Sequence, residues 1–385
     1  MRFKASSSST PRLPSRGYYN MLLVLALTIL ETAALRSPMS LITRKATAVL
    51  DAPVATRTTT QPPPLPLAPP LEDDDDRYAI PAHWSRGAHA QRFASRAAPF
   101  ALAGAVLAAP RSADAVVAGA WSWLRARPWA HAPMFEAWTA TFGFVFAIVF
   151  WSSAHKLFFR DETRAAQFRF DKKPPVAPFE WAGELGWRRL FGAWLPLVAY
   201  VGSIKAFHCV VRKAPLPVAP PSALRLLGEL AGGVIAYDLL FAPIHASMHH
   251  SRAPRTWRNV HRTHHVARPA ARTGRALVPL ETVQHSYADG FLQVACNVAV
   301  QRLATPLLLA SGLVFAPKHP LSRVLHNLVV TFLLAEAHSG FDLPWMGHRA
   351  FPAVIGGARA HDAHHVHGDR NFHQFFDLDV GRFLK

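Results

Sequence analysis

The 385-residue chain is 50% hydrophobic and 17% charged, with a formal net charge of +18, which is too apolar for a disordered chain and basic enough to favour anionic surfaces. No zinc-finger spacing, RNP-type aromatic motif or lysine-rich helix accompanies the arginines, so the charge points to anionic lipid and away from nucleic acid. Cys209 and Cys296 are the only cysteines and both lie in apolar runs, which argues against a disulfide framework and a thiolate metal site.

Residues 1–36 open basic and serine-rich and continue into the apolar stretch 21–30, the pattern of a signal, anchor or transit segment. Residues 37–95 contain a proline cluster at 62–70 and an acidic run at 72–76, a composition expected to form a linker without a core. Residues 96–222 are expected to supply N-terminal membrane helices. Within them, 97–124 is alanine-rich but interrupted by Pro110, Arg111 and Asp114, whereas 134–154 has the ~20 apolar residues of a spanning helix, with Trp138 and Trp151 placed for the interfaces. Further spans are expected at 190–211 and 224–244, then a helical pair at 291–315 and 324–337 broken by Pro317 and Pro320.

Loop charge sets the expected orientation, because cytosolic loops collect lysine and arginine. Eight such residues lie between Ala154 and Leu190, two between Phe207 and Ser222, and seven arginines with no acid between Ser251 and Arg275. Three successive crossings put both rich loops on one side, and a helical pair that dips in and returns keeps every histidine cluster on that cytosolic face.

Sixteen of the 21 histidines fall between His245 and His373. They include a first box, His245-Ala-Ser-Met-His249 followed by His250, a second, His261-Arg-Thr-His264-His265, and a third, His361-Asp-Ala-His364-His365. Spacings of three and four share one helical face. A single histidine on an apolar face is more often a hydrogen-bonded core residue, but eight in three boxes offer enough imidazole nitrogens for two metals. Neutral imidazole suits iron, zinc, copper or nickel. Asp238, seven residues before His245, shares its helical face; a carboxylate in an apolar helix requires a partner, either a ligating imidazole that it orients or a neighbouring helix.

The region from about residue 224 onward resembles the fatty acid hydroxylase (sterol desaturase) superfamily. The ordered HxxxH, HxxHH and HxxHH boxes carry the resemblance, with Pro279-Leu280-Glu281, Gly356-Gly357, Asn371-Phe372 and the run from Ala337 to Trp345, AHSGFDLPW, followed by His348-Arg349. The last run looks like the branch holding methylsterol oxidases that act at carbon 4 and cholesterol 25-hydroxylases. Ala246 stands where the family often has arginine, and Val380-Gly381-Arg382 replaces a frequent FGT-type ending.

The resemblance implies an all-α, multi-span membrane bundle with a histidine-box domain at 223–385. It implies a di-iron centre held by the boxes, suggests His338 as an additional ligand, and implies oxygen insertion from dioxygen into a lipid, with a sterol favoured by the branch. A fatty acyl hydroxylase, a desaturase or an aldehyde-processing relative would use the same irons. Outside enzymes, the alternative is a zinc-binding or pH-sensing transporter or scaffold. The family points to the endoplasmic reticulum membrane, with a plastid membrane as the alternative. The chain shows no GxGxxG after a strand and no HPGG haem signature. Its electrons are therefore expected from a separate donor such as cytochrome b5 and its reductase, steered to the arginines of 252–275.

Overall fold

The computed structural model describes residues 84–159, 161–175, 215–266, 276–303, 318–352 and 354–378, with isolated positions besides. Among them the chain is helical, apart from two isolated bridges, Arg169 to Phe341 and Ile355 to Phe376. The expected span at 190–211, the end of the expected helix at 291–315 and the terminal 380–382 lie outside the described residues.

Helices α1 (Arg86–Ala108) and α2 (Pro110–Arg125) form an elbow bent by 103°. Helix α1 begins inside the stretch expected to be linker, where the Ser85 hydroxyl caps it by accepting from the Ala88 N–H. Pro110 sits at the first position of α2, where its missing N–H costs nothing and its ring ends the preceding helix. The weakly apolar 97–124 thus becomes two helices; only together are they long and apolar enough to count as a broken span or re-entrant pair.

Two single helices have the length and hydropathy to cross a membrane: α3 (Phe135–Phe158) and α5 (Ala223–His249). Both match the expected spans to within one residue at the start and run beyond their ends, α5 far enough to include the first histidine box. Phe142, Phe146 and Val149, at i, i+4 and i+7 on α3, are exposed and give that helix the apolar outer stripe expected against lipid. The short α4 (Glu162–Gln167) is capped by Asp161, and α6 (Arg255–Val266) carries the second box.

A 3-10 turn (Pro279–Val283) leads to α7 (Tyr287–Val298), which ends in a π-helical turn (Ala299–Leu303). Helix α8 (Pro320–Ala337) packs against α3, α5 and α10 (Gly357–His367), with the one-turn α9 (Gly347–Ala350) between. One apolar cluster joins Ala147 and Trp151 of α3 to Ala335 of α8 and to Phe341, Leu343 and Met346 beyond it. Another joins Tyr237 and Phe241 of α5 to Cys296 and Val300, and to Val330 and Leu334 of α8.

The run after α8 is a structural clamp. Arg349 makes a two-pronged ion pair with Asp342, 2.6 Å on each prong, and the His348 ring lies 3.1 Å from the same carboxylate. Burial opposes ionisation of Asp342, but these hydrogen bonds hold its carboxyl well below the usual carboxylate range. Gly340 adopts φ +68°, and a Cβ there would strike the Leu277 carbonyl. The motif therefore fixes the chain that follows His338.

Arg323 of α8 donates to both oxygens of Glu136 on α3, at 2.7 and 2.9 Å, in a largely buried pair with side-chain exposures of 11% and 15%. Removing one partner strands the other charge. Glu136→Ala is expected to destabilise the detergent-solubilised protein by about 3 kcal/mol, read from thermal unfolding. A cost below about 1 kcal/mol, the range of exposed pairs, would show that this link does not hold α3 to α8.

Candidate metal centre

All nine histidines singled out for metal binding, His338 among them, converge in two adjacent groups. One contains His245, His249, His261, His265 and His364; the other contains His264, His338, His361 and His365. Within each group the candidate ligand atoms lie within 4.8 Å of one another. His250 joins neither, and its ring Nδ1 accepts from the Arg252 N–H at the end of α5.

Neither HxxHH box serves a single group. His261 and His265 enter the first group while His264 enters the second; His361 and His365 enter the second while His364 enters the first. Helical geometry explains the exchange. At about 100° per residue, positions i and i+4 diverge by only ~40°, while i+3 and i+4 diverge by ~100°. A helix lying beside two neighbouring centres thus gives two histidines to one and the third to the other. Helices α6 and α10 do this reciprocally.

The hydrogen bonds settle where the ring protons sit. Nδ1 of His245 lies 2.8 Å from the Phe372 carbonyl, that of His264 3.1 Å from Gln284 O, that of His338 2.9 Å from Leu334 O and that of His364 2.7 Å from Arg370 O. A carbonyl only accepts, so each Nδ1 donates and, in a neutral ring, each Nε2 keeps a lone pair. These nitrogens then crowd together: Nε2 atoms are 2.9 Å apart for His245 and His261, 3.2 Å for His264 and His338, and 3.0 Å for His338 and His361.

Burial opposes protonation of much of the cluster. Burial, and after it the neighbouring imidazoles, push His264, His361, His364 and His365 well below the usual imidazole range. His264 and His338 each turn the Nδ1 proton away to a carbonyl, so their Nε2 atoms meet 3.2 Å apart. A cation resolves this, since two nitrogens bound at ~2.1 Å and at right angles lie ~3.0 Å apart. The donor sets fit two metal ions.

Two carboxylates support the cluster by different routes. Asp289, buried at the start of α7, accepts from Nδ1 of His261 at 2.7 Å and is the kind of acceptor that orients a ligand. Sequence reasoning missed it; its one signal is an acid three residues after the capping Ser286 at the head of an apolar helix. Asp238 does not meet a box histidine. It accepts from Nδ1 of His373 at 2.7 Å and from the backbone N–H groups of Gln374, Phe375 and Phe376. It thereby holds the segment whose Phe372 carbonyl orients His245, so the orienting role expected of Asp238 is indirect. Asn371, at φ +57°, turns the chain there and donates to Ala360 O.

A cavity of about 460 Å³ opens onto the first group at His249, His261 and His265, with Arg255, Arg258 and Arg262 around its mouth. The centre is thus reached from the basic side of the protein.

No family model and no solved structure matches the chain. It is 28% identical over 180 residues to cholesterol 25-hydroxylase of Homo sapiens, covering 46% of this chain and 58% of that protein. It is 26% identical over 181 residues to a cholesterol 25-hydroxylase-like protein of Danio rerio, covering 46% and 63%. A Dictyostelium discoideum protein described as a methylsterol monooxygenase is 30% identical over 169 residues, covering 42% and 50%. The chain spans a little over half the length of the curated 25-hydroxylases it matches. These relatives come from the fatty acid hydroxylase superfamily that the histidine boxes resemble.

The geometry predicts about two transition-metal ions per purified chain, measured by elemental analysis. Asp289→Asn, which removes the charge that orients His261, is expected to weaken metal binding in the first group by ~10- to 100-fold. Unchanged affinity in a chelator competition would remove Asp289 from the site.

Proposed function

We propose that this chain is a membrane monooxygenase that inserts one atom of dioxygen into a C–H bond of a sterol, using two iron ions held by His245, His249, His261, His265 and His364 in one group and His264, His338, His361 and His365 in the other. The observation that carries this reading is the pairing of two all-imidazole groups through two shared helices. A zinc-binding or pH-sensing scaffold has no need of two adjacent centres sharing two helices. Iron bound there supplies dioxygen activation and the oxidant for an unactivated C–H bond. The overall change is R–H + O2 + 2 electrons + 2 protons to R–OH + H2O.

The residues of the chain set the conditions for that chemistry. Backbone carbonyls and Asp289 hold the rings so that their nitrogens converge without reorganisation. Burial favours the neutral, ligating form of His245, His249, His264, His361, His364 and His365. The apolar cluster around Tyr237, Phe241 and Leu334 excludes water from the side facing the bundle.

Electrons come from a separate protein, and the arginine-rimmed mouth beside His249 is where an acidic donor such as cytochrome b5, supplied by its reductase, docks. The loop charges favour a cytosolic mouth in the endoplasmic reticulum membrane.

Reconstitution with cholesterol, isotopically labelled dioxygen, NADPH, cytochrome b5 and its reductase is the test. One labelled oxygen atom is expected in the sterol product, none without the donor, and less as salt rises. His264→Ala is expected to abolish product and lower iron content. Replacing Arg255, Arg258 and Arg262 with glutamate is expected to slow turnover without loss of iron. An iron-loaded chain that oxidises no sterol under these conditions contradicts the reading.

A further inference from the structure

Helices α3, α5 and α8 all run in one direction, so the bundle has a start end and a histidine end. Glu136 at the start of α3 pairs with Arg323 at the start of α8, and Glu229 near the start of α5 accepts from the N–H of His319, the cap of α8. The box histidines of α5 and His338 stand at the other end. Helix α1 joins the two. At the histidine end, Arg92 donates from Nε to the Arg349 carbonyl at 2.7 Å, and the Arg349 guanidinium lies 5.3 Å from the ring centre of Trp84, just before α1. From Arg92 to the end of α1 the helix rises about 24 Å (sixteen residues at ~1.5 Å), close to the about 27 Å of the 18-residue α8.

Helix α2 is tied to the start end at two points along its length. Asp114 accepts from the N–H of Ala223, the first residue of α5, at 2.7 Å. Seven residues on, Trp121 donates from Nε1 to the Pro217 carbonyl at 3.2 Å, and its ring packs edge-on against His319. A re-entrant α2 would carry the chain back toward the histidines; the 103° elbow instead lays it across the helix starts.

The faces of α2 differ in chemistry. Val117, Trp121 and Leu124, at i, i+4 and i+7, join the apolar cluster of Phe135, Leu321 and Val324. On one outer edge Val116 and Trp123, seven residues apart, are 73% and 55% exposed. On the other edge Arg111 and Ser122, eleven residues apart, are exposed. Trp129, in the 3-10 turn that follows (Pro128–His131), is exposed and meets Trp123 edge-on, while the Arg127 guanidinium lies 4.6 Å from the Trp123 ring centre. Exposed indoles beside a cation suit the boundary between acyl chains and headgroups.

We propose that α1 crosses the bilayer by itself and that the Val116–Trp123 edge of α2, with Trp129 and Arg127, is a lipid-contact surface seated in the leaflet opposite the histidine groups. Phe93, Phe100 and Leu107, at intervals of seven on α1, are exposed and form an apolar stripe like that of α3. The arginines that make α1 less apolar than α3 or α5, Arg92 and Arg96, lie in its first half, where long side chains reach the interface at the histidine end. Arg127 places its charge on lipid phosphates, with Trp123 and Trp129 at the depth of the headgroups. The placement is independent of the chemistry at the metal centre.

The test uses the full chain with Cys209 and Cys296 replaced by alanine, in sealed vesicles of phosphatidylcholine and phosphatidylserine, with metal content as the check on folding. Single cysteines Ala90→Cys and Ser251→Cys are expected to react with an impermeant maleimide from one side of the membrane, and Ser122→Cys from the other. Reaction of Ser122→Cys from the same side as Ser251→Cys would make α1 and α2 a re-entrant pair and overturn the crossing. A bimane on Trp123→Cys is expected to lose most of its fluorescence to lipids brominated high on the acyl chain and little to aqueous iodide. The reverse pattern, quenching by iodide and not by brominated lipid, would put this edge in water and overturn the lipid surface.

Discussion

Two imidazole nitrogens that face each other at about 3 Å, each with its lone pair forward, repel unless a cation stands between them. His264 and His338 are held in this relation because carbonyls of Gln284 and Leu334 take their other ring protons. The surrounding architecture serves to impose it. The Asp342–Arg349 clamp fixes the chain after His338, Asp238 straps down the segment that orients His245, and α8 is tied to α3 through Arg323 and Glu136. Folding energy is thus stored as convergent, desolvated nitrogens, which metal binding would release.

The reciprocal sharing of α6 and α10 makes the two groups interdependent. A shift of either helix disturbs both, because each gives two histidines to one group and one to the other. Two groups built this way keep a fixed position relative to each other. Helix α6 places the basic mouth next to His249.

Much of this was legible in the sequence. Spacings of three and four put the box histidines on single faces, and the apolar runs marked α3 and α5. The division of each HxxHH between two groups was not legible, because it depends on where neighbouring helices cross and not on spacing within one helix. Asp238 shares a face with His245, yet two turns separate them, and the C-terminal segment reaches the carboxylate first. Asp289 was hidden because its partner His261 lies on another helix. The elbow between α1 and α2 was foreshadowed by Pro110, but its angle is set by packing.

X-ray absorption at the metal edges of the purified full chain tests the two-centre arrangement most directly. Groups of five and four histidines predict a first shell of nitrogen at ~2.1 Å with the outer-shell scattering of imidazole rings. A folded, metal-bearing protein whose first shell is dominated by sulfur, or by oxygen without imidazole scattering, would contradict it.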